Sequence, residues 1–341
     1  MLSVVAAHVE QLCSAYHICN PSLFVRSFLG SCSTTGVAFF FVHTCLVLML
    51  SLHRSYGPHG ARNFLIRRIF RIYPLCWTVL CLVLTTGLTD LPDRVRELRW
   101  QDILANSLLV QNVIKTRENT SVLGPLWSLP WEMQMYLALP LLFLFLRRFQ
   151  WLGTVFLIWL GTFLLAVVGT LPQVHHGWTV FPPMFIAGIV AYRLLIRAQP
   201  DVHRYALPAW GWPLLVMSLF VVVPLLAGNQ GLFSTKAAVL NAGNCLLLGL
   251  AIPSFRELTA FWIVRPAEQI AKYSYGVYLF HVPAIVLCLR FLPRLPIVPK
   301  IALALVFTSA ISFLAFHVIE NPLIRIGKRL TPIDFRVRQA A

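Results

Sequence analysis

Four arginines stand at the start of a long apolar run in residues 61–77, ARNFLIRRIFRIYPLCW. Arg68 and Arg71 are three positions apart and Arg67 lies four positions before Arg71, so the three side chains are neighbours if the segment is helical. A guanidinium donates forked hydrogen bonds to phosphate oxygens. The positive charge either orients the apolar segment or holds an anionic ligand, for which phosphates and lipid headgroups are both candidates. All four positions are Arg and none is Lys, which favours a phosphate-bearing ligand.

A second group of polar residues lies inside residues 124–143, GPLWSLPWEMQMYLALPLLF. Glu132 and Tyr136 are four positions apart and share a helix face, so a hydrogen bond between them can moderate the carboxylate. One interpretation is a polar cavity lined by Glu132, Gln134 and Tyr136, with Trp127 just before it. The other is an aromatic belt at a membrane interface, where Glu132 would contact headgroup water. The spacing alone leaves both interpretations open.

Two histidines in apolar surroundings are candidates for proton transfer, because imidazole is the side chain whose protonation is most easily tuned near neutral pH. Only seven uncharged, mostly apolar residues precede His8, and an imidazole in such a place can act as a general base toward a hydroxyl. His281 follows Tyr278 by three positions, and it is either a second proton-handling group or a histidine satisfied by a neighbouring helix. Glu320 precedes a basic cluster and is expected to pair with a nearby arginine.

The composition indicates an integral membrane protein. Hydrophobic residues make up 58% of the 341 residues and charged residues only 12%, whereas about a quarter of a soluble domain is charged. Apolar stretches of roughly 17–25 residues span a bilayer as helices, since helices satisfy their own backbone hydrogen bonds. Such stretches are expected at about 36–52, 72–90, 126–146, 151–171, 181–196, 209–228, 237–255, 273–292 and 300–320. The expected fold is an all-α, polytopic transmembrane helical bundle of about ten spans.

The ends of the chain give further expectations. Residues 1–12 look like the remnant of a tenth span that is too short to cross alone, and we expect that the first helix has lost its beginning. Residues 1–330 are expected to form one domain, followed by a short basic tail over 331–341. The net charge of +16 is explained by Lys and Arg in short cytoplasmic loops, with both termini cytoplasmic, rather than by nucleic acid.

Taken in order, these segments resemble the membrane-bound acyltransferase family 3, the group related to O-antigen and Nod-factor O-acetyltransferases. The likeness covers nearly the whole chain, and its order and spacing make it specific. It is carried by His8 and by six stretches: GVAFFFVHTCLVL at 36–48, LIRRIFRIYPLCW at 65–77, LWSLPWEMQMYLALPLL at 126–142, FPPMFIAGIVAYRL at 181–194, YSYGVYLFHVP at 273–283 and IENPLIRIGKRL at 319–330.

The resemblance implies an enzyme that moves an acyl group, usually acetyl, from a coenzyme A thioester on the cytoplasmic side. The acceptor would be a hydroxyl of a cell-surface or lipid-linked glycan. Acetyl-CoA is therefore expected as a donor co-substrate, with no permanently bound cofactor and no metal. The expected partners are acyl-CoA, a carbohydrate acceptor and membrane lipids, and the expected location is a bacterial inner membrane.

The resemblance also implies roles for the residues that carry charge or a titratable ring. Arg68 and Arg71, with Arg67 beside them, would bind the coenzyme A phosphates. His8 would remove the proton of the acceptor hydroxyl, and His281 is the second candidate for proton handling.

The remaining candidates would line the cavity in which the two substrates meet. Trp127, Glu132 and Tyr136 would shape this cavity, with Gln134 and Tyr278 as further lining residues. Glu132 is also counted among the catalytic candidates, with His8 and His281.

The chain departs from the family pattern at several positions. Ala38 stands where the family has Asp, and Met133 stands where it has the second acid of a Glu-Glu pair. The arginine expected about three helical turns before His8 is absent from the chain. These departures motivate an alternative function, a non-catalytic relative that acts as a polytopic carrier of glycans or small solutes.

Overall fold

A computed structural model describes most of the chain. The described residues are 2–55, 57, 59–90, 95, 97–114, 121–171, 177–197, 207–228 and 234–331. Within these ranges the regular structure is helical, apart from one isolated β-bridge between Leu207 and Phe255. The predicted all-α class is therefore confirmed. Residues 332–341 of the predicted basic tail lie outside the described residues.

Twelve α-helices are used below to place the site, all within the part of the chain that is described. They are α1 (Leu2–Ala15), α2 (Leu23–Arg54), α3 (Gly60–Thr86), α4 (Trp100–Ser107), α5 (Leu129–Arg148), α6 (Leu152–Gly169), α7 (Pro182–Arg197), α8 (Gly211–Ala227), α9 (Thr235–Ala251), α10 (Phe261–Phe291), α11 (Ile297–Ala315) and α12 (Asn321–Leu330). A 3₁₀ turn, Gly124–Trp127, precedes α5, and a π-helical turn, Phe316–Glu320, joins α11 to α12.

Most of these helices are long enough and apolar enough to cross a bilayer. Among the described residues, seven helical segments reach at least 18 residues with high hydropathy: Leu23–Arg54, Gly60–Thr86, Gly124–Arg148, Leu152–Gly169, Thr235–Ser254, Phe261–Phe291 and Ile297–Leu330. The other three expected spans coincide with α1, α7 and α8, which have 14, 16 and 17 residues. The predicted polytopic helical bundle is confirmed, and the chain is an integral membrane protein.

Several helices begin well before the apolar stretch that predicted them. Helix α2 starts at Leu23 rather than near position 36, and α3 starts at Gly60 rather than near position 72. An apolar window detects only the part that matches the hydrocarbon layer, while the backbone hydrogen bonds continue into polar sequence. The consequence for α3 is that its arginines lie within the helix and not in a loop before it.

The described chain divides into two compact units, and each is described by itself. The first comprises Met1–Ala7, Pro21–Arg54 and Ala138–Arg265, and the second comprises His8–Asn20, Ser55–Leu137 and Pro266–Ala341. The single domain predicted for residues 1–330 stays a prediction.

Helix α7 is the most deeply packed helix of the first unit, where it lies against α2, α6 and α9. Every residue from Pro183 to Arg193 is buried. At Gly188 a Cβ atom would collide with the Val42 carbonyl oxygen and would lie 2.8 Å from the Cys45 Cβ. Helices approach this closely in membrane proteins where one of them offers a small residue.

The second unit is built on α3, α10, α11 and α12, and two further glycines mark close approaches. A Cβ on Gly276 of α10 would lie 3.0 Å from the Ser312 Cβ of α11, and one on Gly327 of α12 would lie 2.9 Å from the Phe70 Cβ of α3. Helix α3 ends at Gly87, whose φ of +66° is the left-handed conformation typical of a helix C-terminus. The chain then turns into the segment that meets the start of α5.

We predict that Gly188→Ala lowers the free energy of unfolding by about 1–3 kcal/mol, because the added methyl group has no space between α7 and α2. The measurement is the thermal unfolding midpoint of the detergent-solubilised protein. The matched control is Gly243→Ala in α9, where a Cβ would meet no atom within 4 Å. Since alanine is the better helix former, we expect this control to melt at or above the wild-type temperature. A Gly188→Ala protein as stable as the control would contradict the packing described here.

Candidate active site

All ten residues that the sequence nominated lie in the second unit. They occupy α1, α3, α5, α10 and the 3₁₀ turn before α5. The structure brings some of them into contact with one another and gives others partners that the sequence did not indicate.

The two nominated histidines meet although 273 positions separate them. His8 Nδ1 and His281 Nε2 are 3.4 Å apart, and the rings form an edge-on pair with centroids 5.0 Å apart. Both side chains are buried, His8 at 9% and His281 at 0% exposure. The sequence could not predict this contact, because nothing in α1 or α10 alone indicates that the two helices pair at these positions.

The backbone of α10 assigns the proton on His281. Its Nδ1 lies 2.8 Å from the Tyr278 carbonyl oxygen and 3.2 Å from that of Val277, and a carbonyl oxygen can only accept. Nδ1 of His281 therefore carries a proton and donates it, which makes Nε2 of the neutral ring an acceptor. Nδ1 of His8 then donates to His281, and Nε2 of His8 holds the lone pair that can take up a proton.

Tyr278 lies beside this pair but is committed to the 3₁₀ turn. Its hydroxyl group donates to the Pro125 carbonyl oxygen at 2.6 Å and pairs with the Ser128 hydroxyl at 2.7 Å. It thereby ties α10 to the turn that contains Trp127, a half-buried residue. Tyr278 therefore holds α10 against the 3₁₀ turn on one side of the candidate site.

Glu132 and Tyr136 form the hydrogen bond that their spacing in α5 predicted. The Tyr136 hydroxyl donates to Oε1 of Glu132. Both side chains are buried, with Tyr136 2% exposed and Glu132 6% exposed. The burial favours the cavity interpretation over contact with headgroup water. Arg68 and Arg71 both interact electrostatically with this carboxylate.

Gln134, the third polar residue of this stretch, points to a different partner. It exchanges two hydrogen bonds with Asn112, at 3.2 and 2.9 Å. Two amides paired in this way satisfy each other. The contact therefore anchors the loop after α4 to α5 and leaves Gln134 as a support of the site.

The three neighbouring arginines of α3 have separate surroundings. Arg67 donates from Nε to the Thr331 hydroxyl at 2.7 Å and from a terminal nitrogen to the Thr331 carbonyl oxygen. Thr331 ends α12, so Arg67 caps that helix, as basic residues do at helix C-termini. The sequence had grouped Arg67 with its neighbours because spacing cannot distinguish which guanidinium already has a partner.

Arg68 lies between aromatic rings. Its guanidinium carbon is 5.5 Å from the centre of the Phe64 ring and 5.8 Å from that of Tyr136, distances at which cation–π attraction operates. Its Nε is buried and has no hydrogen-bond partner among the described residues. This N–H group can donate a hydrogen bond to an acceptor outside the described residues.

Arg71 is the charge next to Glu320, as the sequence led us to expect. Glu320 is 1% exposed and lies in the π-helical turn, an irregularity that is frequent at functional sites. Arg71 attracts its carboxylate electrostatically, but neither carboxylate oxygen has a hydrogen-bond partner in the described part of the chain. The expected pairing is therefore an attraction between charges without a hydrogen bond.

One residue close to the histidines was missed by the sequence. The Gly124 N–H group donates to Oδ1 of Asp90 at 2.9 Å, and a Cβ on Gly124 would lie 3.2 Å from Nε2 of His8. Asp90 is not among the candidates that the sequence nominated. The sequence carries no signal for its position, since 34 residues separate it from Gly124.

Among the described residues, no three His, Cys, Asp or Glu side chains gather as metal ligands.

Comparison with known proteins identifies the family. The family model described as an acyltransferase domain, that of acyltransferase family 3, matches residues 1–317. The chain is also similar to O-acetyltransferase OatA of Staphylococcus aureus, from strain NCTC 8325 / PS 47 and from strain COL, with 23% identity over 348 residues in each case. The match covers 92% of this chain but only 55% of the relatives. No solved structure matches the chain.

The family match spans both units and most of the described helices. The predicted enzyme class, an acyltransferase, is confirmed at the level of the family. This integral-membrane chain therefore belongs to acyltransferase family 3.

Proposed function

We propose that the chain transfers an acyl group, most simply acetyl, from an acyl-CoA thioester to a hydroxyl of a cell-surface or lipid-linked glycan. The observation that carries the proposal is the buried pair of His8 and His281, two imidazole rings whose facing nitrogens are 3.4 Å apart. The printed name of the relatives, O-acetyltransferase, supports transfer to oxygen. The chain spans about half of their length, so their activity enters here only as support for a proposal.

His8 would act as the general base. Its Nε2 would take the proton of the acceptor hydroxyl while the hydroxyl oxygen attacks the thioester carbonyl carbon. When the tetrahedral intermediate collapses, the carbon–sulfur bond breaks and the new carbon–oxygen ester bond remains. The imidazolium of His8 would return the proton to the thiolate that leaves, so the enzyme ends in its starting state. His281 would hold the His8 ring in the orientation that this exchange requires.

Arg68 and Arg71 would bind the phosphates of the donor. The buried Nε of Arg68, which has no acceptor within the described part of the chain, suits a phosphate oxygen, and a guanidinium has five N–H donors. Glu132 attracts both guanidinium groups and would hold them in place before the donor binds. This assignment explains why an apolar chain keeps these charges inside α3 and α5.

The location and topology of the reaction follow from the same proposal. Coenzyme A thioesters are substrates of the cytoplasmic side, so α3 would present its arginines there, with both termini cytoplasmic and the protein in a bacterial inner membrane. Trp127, Tyr136 and Tyr278 would shape the space in which donor and acceptor meet. The acceptor would enter as a carbohydrate carried by a lipid or by the cell surface.

We predict that His8→Ala abolishes acyl transfer, because the general base is lost. We also predict that Arg68→Ala raises the KM for acetyl-CoA at least about tenfold, because a lost charge-assisted hydrogen bond costs roughly 1.5–3 kcal/mol. The measurement is acceptor-dependent consumption of labelled acetyl-CoA by the purified protein reconstituted in lipid with a glycan acceptor. His8→Ala should still bind the donor with wild-type affinity, since its defect lies in proton transfer.

The matched control is Arg62→Ala, which removes an exposed arginine from the first turns of the same helix and should leave both constants unchanged. If His8→Ala and Arg68→Ala both retain full transfer, the site is assigned wrongly. Movement of a glycan across the membrane without consumption of any donor would instead favour the carrier function.

We further predict that Arg67→Gln lowers the thermal unfolding midpoint but leaves the KM for acetyl-CoA within about twofold of wild type. The reason is that its guanidinium already caps α12 through Thr331, with hydrogen bonds to a charged donor worth roughly 1.5–3 kcal/mol each. Arg62→Gln serves as the control for loss of charge in α3. An increase in donor KM equal to that of Arg68→Ala would return Arg67 to the donor site, where the sequence had placed it.

A further inference from the structure

Asp90 occupies a fixed position beside the 3₁₀ turn. It follows the left-handed end of α3 at Gly87 by three residues, and its Oδ1 accepts a hydrogen bond from the Gly124 N–H group at 2.9 Å. The adjacent Thr89 hydroxyl donates to the Val122 carbonyl oxygen at 2.8 Å. Two hydrogen bonds thus attach this stretch to Val122 and to Gly124, the first residue of the 3₁₀ turn, and define where the carboxylate lies.

The second oxygen of the same carboxylate approaches the catalytic imidazole. A Cβ on Gly124 would collide with Oδ2 of Asp90 and would lie only 3.2 Å from Nε2 of His8. The carboxylate oxygen and the imidazole nitrogen therefore lie on the same side of Gly124, both within 3.2 Å of the position that a Cβ atom would take. A residue with a side chain at position 124 would fill the space that these two groups occupy.

The two nitrogens of His8 consequently have different neighbours. Nδ1 faces the acceptor Nε2 of His281 at 3.4 Å, and Nε2 lies on the side of Asp90. When His8 takes up a proton, both nitrogens become donors. An imidazolium in this position has an acceptor nitrogen on one side and a carboxylate on the other, whereas neutral imidazole gains much less from the carboxylate charge.

We propose that Asp90 is a positioning residue of the acyl transfer, one whose carboxylate stabilises the imidazolium of His8 that forms when the acceptor hydroxyl loses its proton. The inference rests on the proposed function, because it concerns the base of that reaction. Proton transfer by a positioned base contributes about 10²–10⁴-fold to a rate, and a carboxylate that stabilises the imidazolium accounts for part of that contribution. Asp90 touches neither the donor nor the arginines of α3 in this proposal.

The decisive variant is Asp90→Asn, which keeps the size of the side chain and the oxygen that accepts from Gly124. We expect kcat for acyl transfer to fall at least about tenfold, while the KM for acetyl-CoA stays within about twofold of wild type. A second variant, Gly124→Ala, should also lower kcat, because its methyl group displaces the Asp90 carboxylate from the side of His8. The control is Glu97→Gln, which removes an exposed carboxylate from the same connection between α3 and α4 and should change neither constant.

The outcomes separate this inference from the function on which it rests. A wild-type protein that transfers no acyl group to any glycan acceptor would overturn both. An active wild type with Asp90→Asn of unchanged kcat would overturn the inference alone. The inference would also be overturned if Asp90→Asn lowered kcat, raised the KM for acetyl-CoA and lowered the thermal unfolding midpoint together. A residue that only stabilises the fold would produce all three changes.

Discussion

Ionisable side chains inside an apolar helical bundle must be stabilised by other groups of the protein, because no water replaces the partners that they lack. The second unit depends on this constraint. The Tyr136 hydroxyl donates to Glu132, the Arg68 guanidinium lies over the Tyr136 ring, and the carboxylate attracts the guanidinium. Each of the three groups would be costly alone, and together they form a compact charged cluster within helices α3 and α5. Within this cluster, Nε of Arg68 has no partner among the described residues, and it is the atom at which we propose that the donor binds.

The same type of side chain serves two purposes in this chain. Arg67 in the second unit and Arg193 in the first donate to backbone carbonyl oxygens at helix ends, where carbonyl groups lack partners within the helix. Arg68, one position after Arg67, has a buried Nε that finds no acceptor among the described residues. A helix rotates by about 100° per residue, so adjacent arginines face different neighbours. This rotation separates Arg67, which caps a helix, from Arg68, which we propose binds a phosphate of the donor.

The departures from the family pattern also have physical consequences. Ala38 is 2% exposed in α2, and an aspartate there would need a buried partner, whereas the alanine needs none. Met133 follows Glu132 in α5 and leaves a single carboxylate at that point of the helix. The buried histidine pair and the arginine cluster do not involve either position. The groups proposed for proton transfer and for donor binding are therefore all present in the second unit.

The sequence by itself determined the helical membrane fold, the approximate positions of the spans, the family and the contact between Glu132 and Tyr136. Each of these depends on composition or on spacing within one helix, which a sequence records directly. Only the tertiary structure decided that His8 meets His281, that Arg67 caps α12 and that Asp90 lies beside Gly124. These contacts join residues that are distant along the chain, and they arise from how the helices pack, which no local pattern of residue types specifies.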